Sequence, residues 1–329
     1  MFTELNAEVL FPLVMYVIIP LLRQVYMGIT GNAEEAKCFE TLASILGDER
    51  KALALMKDLE IDGSSPLPFY ANAIYAATGK TNDELCAMYK TISEAFDSEK
   101  IDYSILSYTN PLFPHNKSIE PVYYLYAAGK KDLLSKKRVT CLGSPLPSLQ
   151  GKSDMAACVE AIVHSDGAVL APLDTGLGAF ALSRALKEGG SAIGVLSSSI
   201  SKCPSAQLLG LMGELYEKGL LITQFAPSVK SQKWHVVLRN RFIAGISENV
   251  YLAEDKDGGP GWAIFDLALE LGANAYVSSS LVDNPNYKWA RERTLMGAKI
   301  EKTPRDISRL FASKRKDVIF DDLTPDLFS

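Results

Sequence analysis

The sequence predicts an α/β protein, a doubly wound and mostly parallel sheet preceded by a helical N-terminal region. Three observations carry this. From about residue 120, short apolar, β-branched runs alternate with helix-length amphipathic segments, the pattern of βαβ units. Before residue 100, apolar residues recur at three- and four-residue spacing instead, as on one face of a helix. The 329 residues, 47% apolar and 22% charged, are enough for a sizeable core and for two domains.

In the N-terminal region, AEEAKCFETLASIL (33–46) and NDELCAMYKTISEAF (82–96) read as helices. Thr81 or Asn82 caps the second, with acids in its first turn. SSPLPF (64–69) is a breaker between helices. VLFPLVMYVIIPLL (9–22) is strongly apolar, but it spans only 14 residues, contains Pro12 and Pro20, and stops at Arg23. A membrane-spanning helix needs about 20 apolar residues. Glu4 and Glu8 stand where a signal peptide would be basic. The run is expected as a buried helix or helix pair, with membrane association as the alternative. TNPLFPHNKS (109–118) is a Pro/Asn-rich connector, and it puts the domain boundary between a helical domain (1–108) and an α/β domain (109–312), followed by a short tail (313–329).

In the second domain, strands are expected at RVTCLG (138–143), GAVLA (167–171), AIGVL (192–196), LLITQF (220–225), NVYLAE (249–254) and NAYVSS (274–279). Helices are expected between them, including RNRFIAGIS (239–247) as a short one starting at the arginines. Ligands of such sheets bind at the carboxyl ends of the strands, near the switch in strand order. That rule selects the loops 143–148, 171–178, 196–204, 225–241 and 254–261.

A formal net charge of -5 and a pI near 5.4 exclude duplex DNA binding by bulk charge but not by a local patch. Five scattered cysteines without a CxxC pair fit reduced thiols in the cytoplasm. Three histidines with no ligand spacing give no zinc site. No cofactor is expected, because neither G-x-G-x-x-G nor an acid ending strand 167–171 is present.

In the loops, Gly143 permits a sharp turn, and the helix after it could offer free N–H groups to an anion. A tight turn without a ligand explains the loop equally well. Gly176 and Gly178 open the next helix, with Asp174 expected as its cap. Gly258, Gly259 and Gly261 form a second candidate phosphate cradle, followed by Trp262, a core residue or a base-stacking one. Arg239 and Arg241 flank Asn240. Guanidinium groups present planar donors suited to phosphate. The alternative for either arginine is an ion pair with Glu254 or Asp255. For the two together at a strand end, an anion site is the favoured reading.

In order along residues 109–310, PVYYLYAAGKKDLLSKKRVTCLGS, ALKEGGSAIGVL, LRNRFIAGISENVYLAE and MGAKIEKTPRDI resemble motifs of the DprA/Smf family of DNA-processing proteins. The most specific is the R-N-R-x-I-A-G-x-S run. The resemblance implies an extended Rossmann-like fold that binds single-stranded DNA during natural transformation. It also implies transfer of that strand to a RecA-type recombinase, a homodimer, and no established enzymatic activity. Carried over by position, the strand-binding residues would be Gly143, Ser144, Gly176, Arg239, Asn240, Arg241 and Gly259. Three departures stand out. Pro145 occupies the place of the family's arginine, the acid and histidine that usually follow Gly176 are missing, and the Ser-Gly-Ser turn is replaced by DGGPG.

The rival class is a nucleotide-binding sensor or a phosphoribohydrolase of a related sheet. Alignment of GGPGWAIF with the hydrolase motif puts Phe265 where the catalytic glutamate belongs, so the carboxylate that chemistry needs is absent. A third reading is an interaction partner that has lost ligand binding. Nucleophilic hydrolysis is set aside, because no G-x-S-x-G elbow accompanies a His/Asp pair.

Overall fold

The computed structural model describes residues 33–118, 120–302 and 304–311. The apolar run 9–22 and the tail 313–329 lie outside the described residues. Helix α1 (Ala33–Leu46) is followed by α2 (Glu49–Asp58), a 3-10 turn (Leu67–Tyr70), α3 (Ala71–Thr78) and α4 (Asn82–Asp97). Local chemistry sets these boundaries. The Asp48 carboxylate accepts from the Arg50 and Lys51 amides at the start of α2. Thr81 and Glu84 form a reciprocal capping box on α4, satisfying two otherwise orphaned N–H groups.

The sheet begins at β1 (Ser104–Ser107) and β2 (Tyr124–Gly129). It therefore starts ahead of the boundary expected at 109. The βα units follow as β3 (Arg138–Leu142), α5 (Leu149–His164), β4 (Ala168–Pro172), α6 (Leu177–Lys187), β5 (Ser191–Val195), α7 (Leu209–Lys218) and β6 (Leu220–Thr223). The second half runs α8 (His235–Ile246), β7 (Asn249–Leu252), α9 (Pro260–Glu270), β8 (Asn274–Ser278), α10 (Ser279–Asp283), α11 (Lys288–Leu295), β9 (Lys299–Glu301) and α12 (Pro304–Ser308).

These strands form one nine-stranded sheet in the order β1-β2-β6-β5-β4-β3-β7-β8-β9. Every pairing is parallel except β1–β2 and β2–β6. Strand order runs outward in both directions from β3 and β7, so the switch point lies between them. This is the doubly wound architecture expected.

Alternate strand residues supply two cores. Val139, Val169 and Ala171 face the side covered by α5, α6 and α7, whereas Leu142, Ala168 and Leu170 face the side covered by α8 and α9. Burial on both faces is why the central strands read as continuous apolar runs. The N-terminal helices pack on the first side, at the β2 edge. The Phe39 ring lies 5.6 Å from that of Tyr123 and 5.0 Å from that of Tyr124, and Phe96 meets Tyr126 at 5.9 Å. Tyr124 donates to Glu35 at 2.8 Å. Among the described residues no helix is long and apolar enough to cross a membrane.

Candidate functional site

The loops after β3, β4, β5 and β7 meet α8 around a pocket of about 270 Å³, at the switch in strand order. Gly143, Asp174, Gly178, Arg239 and Gly261 are among its walls. Gly176 fixes the geometry between two of the loops. It adopts φ +87, and a side chain there would run into the Ser144 carbonyl and Pro145. Leu177 N–H donates to that same carbonyl at 3.0 Å. Likewise a Cβ on Gly261 would sit 2.7 Å from the Gly143 amide nitrogen, so glycine is what lets the β3 and β7 loops touch.

Three helix N-termini converge near this pocket, and two of them are already filled by the protein's own acids. Ser148 caps α5, and both its amide and its hydroxyl donate to the Glu254 carboxylate, the hydroxyl at 2.6 Å. Asp255, 1% exposed, accepts from the amides of Lys256, Gly261 and Trp262 at 2.8, 2.8 and 3.0 Å. Burial pushes its acid range up, and those three N–H groups oppose the shift. The cradle expected around Gly258, Gly259 and Gly261 is therefore not vacant. Gly259 packs directly against the Asp255 carboxylate and supplies backbone shape rather than a phosphate contact.

The third terminus, that of α6, has no such acid. Its N-cap, Gly176, makes no side-chain bond. Leu177 and Phe180 donate to Ser144 and Gly176, while the amides of Gly178 and Ala179 have no partner among the described residues. Asp174, expected as the cap, instead accepts from Arg239 Nη2 at 2.6 Å. Arg239 is 1% exposed, and its Nη1 is buried without a partner. The guanidinium is oriented by Asn240, whose Oδ1 accepts from its Nε at 3.1 Å and its Nη2 at 2.7 Å.

The two arginines do not act side by side. Helix α8 begins at His235, four residues before the start expected from the sequence, so both lie inside the helix. Residues two positions apart in a helix differ by about 200° in direction. Arg241 consequently leaves the pocket and pairs with Glu120 on the other side of α8. Among the described residues neither Glu254 nor Asp255 pairs with an arginine. Trp262 meets Trp289 at 6.4 Å and lies under Arg293, which is a packing role. Of the expected residues, the pocket brings together Gly143, Arg239 and, through loop contacts, Ser144, Gly176 and Asn240. Gly259 stands behind it, and Arg241 lies apart. The sequence also carries basic runs at Lys130–Lys131, just after the antiparallel strand β2, and at Lys136–Arg138, entering β3; both lie at the amino edge of the parallel strands, at the other end of the sheet from the pocket. A third basic run, Lys314–Lys316, lies outside the described residues.

The class so defined is a doubly wound α/β protein whose switch point carries a buried arginine and an uncapped helix terminus, donors of the kind that suit an anion. Comparison narrows the class. Residues 104–312 match the DNA recombination-mediator protein A family, and the chain belongs to that family. It is 29% identical over 170 residues to the DNA processing protein DprA of Bacillus subtilis, covering 51% of this chain and 57% of that protein. It is 25% identical over 160 residues to DprA of Streptococcus pneumoniae, covering 48% and 56%. The matched segment thus spans just over half the length of these relatives. The crystal structure of Streptococcus pneumoniae DprA superposes with a TM-score of 0.67 at 20% identity, over 83% of this chain and 97% of that one. The Helicobacter pylori protein, whose structure concerns its single-stranded DNA binding mode, superposes with a TM-score of 0.57 at 16% identity, over 64% and 96%. Both show the same fold.

Proposed function

We propose that this chain binds single-stranded DNA at the switch-point pocket. The observation that carries the reading is Arg239, a buried guanidinium with Nη1 unpaired, beside the uncapped α6 terminus. Together they present a charge-assisted donor and two free amides to one phosphate. Ser144, Gly176 and Gly259 shape the loops, and Asn240 aims the arginine. Family membership and the single-stranded DNA binding of the Helicobacter pylori relative support a nucleic acid strand as the ligand. By the same family reasoning the chain works as a cytoplasmic homodimer in DNA uptake and recombination. It passes its strand to a RecA-type recombinase and catalyses no reaction.

With Asp174 on one side of Arg239 and Pro145 in place of an arginine, the pocket grips few phosphates. That favours, as a second reading, a mononucleotide that fills the 270 Å³ by itself. A mobility shift with a short homopolymer strand tests the first reading. Arg239→Lys should weaken binding by about tenfold or more, since lysine cannot reproduce the planar fork. Arg241→Ala should weaken it about twofold or less. Full competition by an equimolar mononucleotide would shift the assignment to the second reading.

A further inference from the structure

The connector 109–118, expected from the sequence as a domain boundary, forms one wall of a groove of about 480 Å³. Arg50 of α2, Tyr108 just after β1 and Tyr123 just before β2 form the other. Two side chains brace the connector. Asn110 Oδ1 accepts from the Leu112 amide and Asn116 Oδ1 from that of Ser118, both at 2.9 Å. The Lys117 amide donates to the Gly245 carbonyl at 2.9 Å, and a Cβ on Gly245 would run into Asn116 Oδ1. Glycine at that point of α8 lets the connector seat directly on the helix that carries Arg239.

The groove combines rings with cations. Tyr108 is 41% exposed and meets Tyr123 edge to face, with centroids 5.8 Å apart and planes inclined by 78°. Phe113 and His115 add two more rings to the lining. The exposed Lys57 holds its Nζ 5.5 Å from the centre of the Tyr108 ring. Burial pushes the Tyr123 phenol up, the charges of Arg50 and Lys57 oppose that shift, and those of Glu49 and Asp48 add to it. Among the described residues no carboxylate lines the groove; Asp48, Glu49 and Glu120 line the adjoining cavity instead. Accessible ring faces beside cations are what a single strand uses, its bases stacking and its phosphates pairing. An aliphatic partner would desolvate Lys57 and Arg50 without pairing them. The location fits as well. β1 runs antiparallel to β2, and β2 to β6, so Tyr108 and Tyr123 lie at the carboxyl edge of the parallel strands, on the same crest as the switch-point pocket. β2 and β3 are four strand spacings apart in the sheet, about 19 Å. Twelve stacked nucleotides extend over about 40 Å and reach across.

We infer that this groove is a second contact site for the single strand, in which a base stacks on Tyr108 and Lys57 meets a backbone phosphate. The inference rests on strand binding at the switch-point pocket and extends the track to the join between the N-terminal helices and the sheet.

The test is fluorescence anisotropy of the full chain with a thymine strand of about twelve nucleotides, long enough to reach both sites. Tyr108→Ala should weaken binding by about tenfold, whereas Tyr108→Phe, which keeps the ring, should stay within about twofold. A strand of the same length without bases should bind the native chain and Tyr108→Ala equally. Irradiation of a strand carrying 5-iodouracil should cross-link it to the peptide that contains Tyr108, a readout on the native chain that does not depend on how the variants fold. Unchanged affinity in Tyr108→Ala with no cross-link at that peptide, or equal weakening by Tyr108→Ala and Tyr108→Phe, would overturn the groove and leave the pocket standing. Failure of the native chain to bind any strand would remove both.

Discussion

At the scale of single residues, one buried guanidinium organises the site. Arg239 is held by Asp174 and Asn240 with a donor to spare. A charge buried this deeply persists only when paired, so Asp174 is as much a part of the site as the arginine. The pairing spans 65 positions of sequence, and no local spacing announces it. Gly176 is the other indispensable residue. Gly176→Ala forces a side chain into left-handed φ and against the Ser144 carbonyl, so we expect a loss of about 1–3 kcal/mol, read by urea denaturation, together with loss of strand binding. A third residue gives a pH signature. Because Glu40 titrates above its ordinary value through burial, the folded chain holds a proton that the unfolded chain releases. Its contribution to stability is complete below about pH 4.5 and disappears as pH rises to about 8. The thermal midpoint of the native protein should therefore fall between pH 5 and pH 8, and Glu40→Gln should flatten that fall. An equal fall in the variant would remove Glu40 from the explanation.

At the scale of elements, the competition for helix N-termini decides what the site can bind. Glu254 and Asp255, adjacent at the end of β7, occupy the termini of α5 and α9, where an anionic ligand would otherwise bind. Asp255→Ala should cost about 1–2 kcal/mol by uncapping α9. It should also raise oligonucleotide affinity, because it removes a negative charge beside the pocket; weaker binding by a folded variant would argue against this picture. The central strands β3 to β8 were legible in the sequence because burial on both faces turns each into an apolar run. Strands β1 and β9 were not, because SILS and KIE are too short to show a period. β2 is an aromatic stretch, YLYAAG, whose alternation divides between two cores. The glycine turns were legible as strand-end loops. The direction of the arginines was not, because α8 starts on Trp234 without a side-chain cap, so nothing in the sequence marked its true first turn. Moving that start by four residues put Arg239 and Arg241 mid-helix and sent them to opposite sides.

At the scale of the whole molecule, an acidic chain of net charge -5 presents one cation at the floor of its switch-point pocket, opposite Asp174. Lys136, by contrast, pairs with Asp166 at the far edge of the sheet. Strand binding should accordingly rest on shape and a few hydrogen bonds more than on counterion release. The most direct measurement is fluorescence anisotropy of a short homopolymer strand across a salt series, with the native chain, Arg239→Lys and Arg241→Ala side by side. The account predicts saturable binding with a shallow log–log slope of about -0.7 to -1.4, one or two phosphates neutralised, lost in Arg239→Lys and retained in Arg241→Ala. Binding that survives in a folded Arg239→Lys protein but disappears in Arg241→Ala would contradict it.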